Sequence, residues 1–292
     1  MGPRACCQAP KIQARCLRRS AVLSLTVESD ACLKVIYGEG GGCTLDVAGA
    51  AAGVWIPLRG SLQVHSTELN RLIHTGDALV TEHDGHAVAV GHANARWLAL
   101  LGGTQAWQWL FTEMDACLLP ELHKGTRELR RSAIAVARAA KPLDLEGALH
   151  ALADKIATLQ APLHEAIGRC PGRTLARKRQ IFMRLQRIRN YIGVFCYQEI
   201  DNEALALMAN FSPCYFLRTF KSAYLETPHA YLVQQRLERA KRLLRSSAMA
   251  ITEVALASGF ENRCVFSRTF HQHFGMTAQE ARRRTNTTST IA

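Results

Sequence analysis

The sequence predicts an α+β multidomain protein, with an antiparallel β-sandwich or barrel in its N-terminal half and an all-α domain in its C-terminal half. Short apolar runs separated by Gly, Asp and His turns extend from residue 31 to 112, a pattern that is typical of antiparallel strands. After residue 115 the apolar spacing becomes helical. A chain of 292 residues is also more typical of two domains than of one.

Six apolar runs predict the strands. They are LKVIYG (33–38), GVWIPL (53–58), GSLQVHS (60–66), DALVTE (77–82), HAVAVG (86–91) and ARWLALLG (95–102). Residues 1–30 precede these runs and carry five cations in their first 20 positions, so they are interpreted as a flexible basic tail. The β domain is accordingly assigned to residues 31–118.

Residues 119–180 are predicted to be a helical connector followed by a linker. The connector carries an apolar seam of alternating steps of four and three, formed by Leu145, Leu149, Leu152, Ile156, Leu159 and Leu163. Either the seam packs on its own domain or it meets its copy in a homodimer, and the homodimer is the prediction made here. The segment GRCPGRTLARKRQ (168–180) has the Gly, Pro and clustered cations of a linker.

Start signals predict six or seven helices and no strand in residues 181–285, ahead of a disordered tail over 286–292. QIFMRLQRIRNYIGVF (180–195) and NEALALMA (202–209) read as helices. Ser212-Pro213 and Thr227-Pro228 each place an N-cap residue before a proline at the first helical position. Asn262 is a further N-cap, and Thr277 with Glu280 forms a capping box.

Charge is concentrated in the same half of the chain. Residues 171–292 carry 19 Lys and Arg against 8 Asp and Glu, whereas residues 1–170 carry 17 against 16. A basic domain joined to a neutral one indicates a polyanion-binding domain, because cations that neutralise phosphates release counterions. The alternative is a basic surface that serves solubility alone.

The basic half contains one motif twice. Placing Phe216 on Phe266 aligns a set of matching positions: Cys214 with Cys264, Arg218 with Arg268, Thr219 with Thr269, Phe220 with Phe270, and Thr227 with Thr277. Each copy is preceded by a short helix with an apolar-Ala pair and then by a tight turn, which in the second copy is Gly259-Phe260. A short helix, a turn and a longer helix with a polar face make a helix-turn-helix, whose second helix lies in the DNA major groove.

The helix predicted between the copies, residues 228–246, has a suitable length for tandem binding. Its 19 residues span about 29 Å at 1.5 Å per residue, close to the roughly 34 Å of one turn of B-DNA. One chain would therefore place two recognition helices in successive major grooves of double-stranded DNA.

These motifs resemble a known family. GFENRCVFSRTFHQHFGMTAQEAR and LALMANFSPCYFLRTFK…TPHAYL are similar to the two helix-turn-helix motifs of the AraC/XylS transcription regulators, over residues 186–285. This chain departs from the family pattern at three positions, with Leu225 in place of Gly, His271 in place of Lys and Ala278 in place of Pro. The resemblance implies a cupin-like β-barrel as effector or dimerisation domain, a small-molecule effector, and RNA polymerase as a partner. The effector, the operator and the choice between activation and repression stay open.

The outward face of each recognition helix supplies the candidate DNA contacts. The base-reading candidates are Cys214, Leu217, Arg218, Arg263, Cys264, Ser267 and Arg268. Arg binds guanine O6 and N7 with two hydrogen bonds, Ser donates or accepts, and Leu or Cys contacts a thymine methyl. The phosphate candidates are Ser212, Thr219, Lys221 and Thr269. For Arg218 and Arg268, a salt bridge or a phosphate contact is the open alternative.

The N-terminal half offers weaker candidates. Trp55, His65, His86 and Trp97 are the candidate effector pocket, although aromatic core is the competing interpretation. His65, His74, His83, His86 and His92 raise the alternative of a cupin-type metal-dependent enzyme fused to a DNA-binding domain, but no HxH pair occurs. No catalytic residues, metal or cofactor are therefore expected.

Cysteine usage and hydropathy favour a cytoplasmic protein. The ten cysteines are scattered without CxxC spacing, which indicates reduced thiols, although Cys6 and Cys7 leave a redox or metal role open. The apolar run VAGAAAGVWIPL (47–58) is shorter than the roughly 18 residues of a membrane-spanning helix, so neither a membrane helix nor a membrane partner is expected. No signal peptide is expected either.

Overall fold

The computed structural model describes residues 9–27, 29–49, 51–66, 70–81, 86–111, 118–139 and 142–289. The chain divides into two compact units, Met1–Glu165 and Ala166–Ala292. No helix among the residues just given is long and apolar enough to cross a membrane.

The N-terminal unit is built on two β-sheets. Its strands are β1 (Lys11–Leu17), β2 (Val22–Thr26), β3 (Cys32–Glu39), β4 (Thr44–Ala48), β5 (Ala52–Arg59), β6 (Ser61–Ser66), β7 (Asn70–His74), β8 (Asp77–Thr81), β9 (Ala87–Gly91), β10 (Arg96–Gly102) and β11 (Glu121–Lys124). Sheet A has the order β1-β3-β10-β5-β8-β11, and sheet B has the order β2-β4-β9-β6-β7. All six predicted strands are confirmed as β3, β5, β6, β8, β9 and β10.

The first two strands correct the interpretation of residues 1–30 as a flexible tail. β1 pairs in parallel with β3, and β2 pairs in parallel with β4, so both are edge strands of the sheets. Most β1 and β2 side chains are exposed, which is why their sequences lack the alternating apolar pattern of a half-buried strand. The sheets are therefore antiparallel at all described pairings except these two edges, and the cupin-like barrel stays a prediction.

Three helices cover one face of sheet A. They are α1 (Thr104–Leu110), α2 (Arg127–Arg138) and α3 (Pro142–Arg169). Leu149, Leu152 and Ile156 of α3 are buried in one apolar cluster with strand residues such as Val54 and Leu100. The predicted dimer seam therefore packs on its own domain, because the sheet already covers these side chains and leaves them no free surface for a second copy.

The C-terminal unit is helical in its described residues. After the last turn of α3 come α4 (Leu175–Phe195), α5 (Asn202–Met208), α6 (Pro213–Tyr224), α7 (Pro228–Ser246), α8 (Ile251–Ala257), α9 (Arg263–Phe274) and α10 (Ala278–Ser289). The predicted linker at 168–180 is a short turn, because Thr174 caps α4 by accepting a hydrogen bond from the Arg177 backbone N–H at 3.2 Å. Helix α10 also extends past residue 285 into the predicted tail.

Helix α4 is an integral part of this unit. Ile181, Phe182 and Leu185 are buried, and the Tyr224 hydroxyl of α6 donates to Gln186 Oε1 at 2.8 Å. The last turn of α3 is attached in the same way, since Arg169 Nε donates to the Ala223 carbonyl at 2.9 Å. The compact unit therefore begins at residue 166, whereas the sequence predicted that the domain begins at residue 181.

Candidate nucleic-acid interface

Helices α5 and α6 form the first helix-turn-helix. Leu205 and Ala206 of α5 are buried, as are Phe216 and Phe220 of α6, whose ring centroids lie 5.7 Å apart. The corner between the helices is Asn210, with φ of 53°, a left-handed conformation that Asn adopts more readily than most residues. The tight turn predicted before the first copy is therefore confirmed, and the structure places its corner at Asn210, a residue that the sequence interpretation did not name.

Helices α8 and α9 repeat the arrangement, with Gly259 at the corner. Its φ is 89°, and a Cβ atom there would lie 2.8 Å from Arg236 Nε and 2.9 Å from the Cys196 carbonyl oxygen. The same Arg236 Nε donates to the Cys196 carbonyl at 2.7 Å, so the corner is packed against a fixed side chain. Both conformation and space therefore require Gly at 259.

The start of each recognition helix is as the sequence predicted. Asn262 Oδ1 accepts a hydrogen bond from the Cys264 backbone N–H at 2.6 Å. Ser212 precedes Pro213 at the first position of α6, although its hydroxyl makes no capping hydrogen bond. After the second copy, the Thr277 backbone N–H donates to Glu280 Oε2 at 2.7 Å, and Glu280 N–H donates to Thr277 Oγ1 at 3.2 Å. These two bonds complete the predicted capping box.

The two recognition helices expose the same face. All seven base-reading candidates are exposed: Cys214, Leu217, Arg218, Arg263, Cys264, Ser267 and Arg268. The Phe pairs at 216/220 and 266/270 lie on the opposite, buried face. Exposure makes these side chains available to a partner surface, and base reading by each of them stays a prediction.

The arginines on these faces are held differently. The Arg218 guanidinium lies 5.9 Å from the ring centroid of Tyr215 on its own helix, a cation–π contact that orients it. Arg263 and Arg268 make no hydrogen bond or ion pair with any residue in the described part of the chain. Their charges are therefore available for a DNA base or phosphate.

The phosphate candidates divide into two pairs. Ser212 and Lys221 are exposed. Thr219 is only 2% exposed, because it lies on the buried side of α6 between Phe216 and Phe220, and this removes it as a phosphate contact. Thr269 Oγ1 donates to the Val265 carbonyl at 2.8 Å, so its proton is used within α9.

The charge asymmetry follows the boundary between the units. Residues 166–292 carry 20 Lys and Arg against 8 Asp and Glu, and residues 1–165 carry 16 of each. The whole net charge of +12 therefore belongs to the unit that contains the two helix-turn-helix motifs.

Comparisons with known proteins match the same region. A helix-turn-helix domain family model matches residues 205–284. The probable transcriptional regulator LumQ of Photobacterium leiognathi is 33% identical over 89 residues, which are 30% of this chain and 36% of LumQ. ExsA, an HTH-type transcriptional regulator of Pseudomonas aeruginosa, is 22% identical over an alignment of 251 positions, which covers 79% of this chain and 85% of ExsA. A solved structure of a probable AraC family transcriptional regulator from Rhodopseudomonas palustris is 25% identical, with a TM-score of 0.34, and covers 35% of this chain and 96% of that chain.

The matched segment contains both sequence copies and the helix that joins them. Residues 205–284 are an AraC-type helix-turn-helix domain. The match spans little more than a third of LumQ, whereas the match with ExsA also extends into the β-rich part of this chain. The AraC-type domain retains its turns despite the departures noted above: Leu225 takes the left-handed conformation with φ of 62°, as Gly275 does with φ of 67°.

The predicted effector-pocket residues divide into two buried tryptophans and two exposed histidines. Trp55 and Trp97 are fully buried in the core, where Trp55 Nε1 donates to Thr81 Oγ1 at 3.1 Å. His65 and His86 are exposed, and His86 Nε2 lies 2.7 Å from Asp46 Oδ1. The two indoles are therefore core, as the competing interpretation held.

The enzyme alternative requires metal-ligating side chains that lie close together. Within the described ranges, no three His, Cys, Asp or Glu side chains are placed to hold a metal ion. His83 of the five candidate histidines lies outside these ranges, as do Cys6 and Cys7.

Proposed function

We propose that this protein is a sequence-specific DNA-binding transcriptional regulator of the cytoplasm, with α6 and α9 as recognition helices in neighbouring major grooves. The observation that carries the proposal is the matched exposure of the two helices. Arg218 and Arg268 occupy equivalent exposed positions, and the Phe pairs behind them are buried in both copies. A repeated, outward-facing polar helix in a basic unit fits the phosphate-lined major groove.

The joining helix and the charge support the same function. Helix α7 has 19 residues and is about 29 Å long, which suits one turn of B-DNA. The net +12 of residues 166–292 supplies the sequence-independent part of the affinity. LumQ and ExsA are both described as transcriptional regulators.

The N-terminal unit would be the regulatory domain. It is electrically neutral and β-rich, and it would bind a small-molecule effector that changes how the regulator acts with RNA polymerase. A homodimer would use a surface other than the α3 seam, since Leu149, Leu152 and Ile156 are covered by the chain's own sheet. Selection from a random pool of duplex DNA should yield a motif of about 20 base pairs, two successive major grooves.

The Arg263→Ala variant tests base reading directly. Arg263 is the first residue of α9 and is exposed, so its loss should cost about 1 to 3 kcal/mol at the selected site and relax the base preference at one position. Fluorescence anisotropy on the selected sequence and its single-base variants measures both effects. Arg127→Ala is the matched control, because Arg127 is the exposed first residue of α2 in the neutral unit.

Two outcomes would contradict this assignment. Equal weakening on every sequence would make Arg263 a phosphate contact. A selection that yields no motif would instead indicate a non-specific DNA-binding protein.

A further inference from the structure

A cavity of about 230 Å³ lies in the N-terminal unit, where β3 and β5 end and β10 begins, against helix α2. Its strand residues are Tyr37, Leu58, Arg59 and Arg96, and its helix residues are Arg130, Ile134, Ala137 and Arg138. The helix residues stand at positions i, i+4, i+7 and i+8, which places them on one face of α2. This cavity is separate from the predicted pocket, since it shares no residue with that set.

Strand register brings opposite and like charges together at this edge. Arg96 is paired with Glu39 on β3 and with Arg59 on β5. Arg96 Nη2 lies 2.6 Å from Glu39 Oε1, so this arginine is neutralised. Arg59 lies opposite Arg96 in the strand register and has no carboxylate partner of its own among the described residues. Its charge is therefore available to a ligand at the cavity wall.

A β-bulge shapes the same wall. The register between β10 and β5 shifts between Arg96 and Trp97, which leaves Leu58 as the additional residue on β5. The Leu58 carbonyl accepts a hydrogen bond from Arg130 Nη2 at 2.9 Å, which ties α2 to the bulge. Bulges of this kind redirect side chains next to functional sites.

The cavity has uncompensated positive charge. Four arginines line it, all of them exposed, and of these Arg96 is paired with the Glu39 carboxylate. Arg59 and Arg138 make no hydrogen bond or ion pair with the residues that the structure describes. Because residues 1–165 have no net charge, this cluster is a local concentration and does not follow from a basic domain surface.

The remaining wall is suited to a short apolar group. Leu58, Ile134 and Ala137 contribute aliphatic surface beside the Tyr37 ring. Burial and the nearby Glu39 carboxylate raise the pKa of Tyr37, so its hydroxyl stays protonated at neutral pH and can donate a hydrogen bond. The cavity is smaller than the roughly 300–1,000 Å³ of drug-sized ligand pockets, which restricts the ligand to a small molecule.

We propose that this cavity binds a small organic oxyanion, a carboxylate or a phosphate ester with a short apolar body, between Arg59 and Arg138. Arginine pairs with both groups through two parallel hydrogen bonds. The interpretation of this cavity as the place where an effector acts on transcription rests on the proposed function. Binding itself does not, and it is measurable on the full-length protein without DNA.

Isothermal titration calorimetry of the full chain tests the proposal with hexanoate, cyclohexanecarboxylate and phenyl phosphate as probes. At least one should bind, while the neutral analogues 1-hexanol and cyclohexylmethanol should not. The Arg59→Gln/Arg138→Gln double variant should bind that probe at least about tenfold more weakly, because two charge-assisted hydrogen bonds are lost. Arg131→Gln is the matched control, since Arg131 is an exposed arginine of α2 outside the cavity wall.

Three results would overturn the proposal. The first is that none of the three anions binds at about 10 mM, a concentration above a weak, millimolar dissociation constant. The second is equal binding by wild type and the double variant. The third is equal binding of the neutral analogues. A melting temperature of the ligand-free double variant close to that of wild type excludes misfolding as the cause of lost binding. It is the expected result, since Arg59 and Arg138 are exposed and make no hydrogen bond or ion pair among the described residues that the substitutions would remove. If none of the anions binds, the DNA-binding proposal is unaffected, because its tests use no small molecule.

Discussion

Single residues decide how the two copies of the repeat differ. Leu225 ends α6 in the left-handed conformation, whereas Gly275 ends α9 in the same conformation without strain. A non-Gly residue in this region costs about 1 to 2 kcal/mol, because its Cβ approaches the following carbonyl. The sequence shows that Leu225 replaces the Gly of the family pattern. Only the structure shows that the backbone at Leu225 still takes the left-handed conformation of the turn.

Leu225→Gly should therefore stabilise the C-terminal unit by about 0.5 to 1 kcal/mol. The gain is the left-handed strain, reduced by the extra entropy of Gly in the unfolded chain. Little apolar burial is lost, since Leu225 is 71% exposed. Thermal unfolding followed by circular dichroism at 222 nm measures the change. Gly275→Leu is the reciprocal control and should destabilise by about 1 kcal/mol; a variant at 225 that melts lower than wild type would contradict the strain argument.

At the scale of elements, α3 shows how a periodic pattern leaves its partner undefined. The spacing of Leu149, Leu152 and Ile156 correctly indicates a buried helix face. Whether a second copy or the chain's own sheet covers that face depends on residues such as Val54 and Leu100, which are about 50 to 100 positions away in the sequence. Periodicity reports that a face is apolar and carries no information about what covers it.

Leu152→Ala should destabilise the N-terminal unit by about 2 to 5 kcal/mol, because it opens a cavity in a closed core. Leu143→Ala, on the same helix, is the control and should change stability by less than about 0.5 kcal/mol, since Leu143 is 81% exposed. Urea unfolding followed by tryptophan fluorescence reports this unit alone, because all four tryptophans lie before residue 166. A dimer seam would behave differently: Leu152→Ala would then alter sedimentation and leave the monomer's unfolding midpoint unchanged.

At the scale of the whole molecule, the division of charge predicts a division of function. A fragment of residues 166–292 should bind duplex DNA without the N-terminal unit, since it carries the whole net +12 and both recognition helices. Its log affinity should fall linearly with log salt, with a slope of about −0.9 for each phosphate contact. Anisotropy with labelled DNA at several salt concentrations measures the slope.

The fragment boundary provides the control. A fragment that starts at residue 181 lacks Arg169, which donates to the Ala223 carbonyl, and the first turns of α4. It should melt at a lower temperature than the 166–292 fragment. A folded 166–292 fragment without DNA affinity at low salt would remove the DNA-binding assignment.

The sequence by itself determined those features that depend on neighbours in the chain. The caps at Asn262 and Thr277, the repeated Phe positions and six of the strands are read from local spacing, because a cap or a helix face involves residues within four or five positions. The AraC-type domain was identified from these local motifs.

Only the tertiary structure decided which distant segments meet. It paired β1 with β3, covered the α3 seam with sheet A, and brought Arg59, Arg96, Arg130 and Arg138 to one cavity. These outcomes depend on register and packing between elements far apart in sequence. A one-residue slip in a strand reverses the face of every side chain, so spacing along the chain does not specify them.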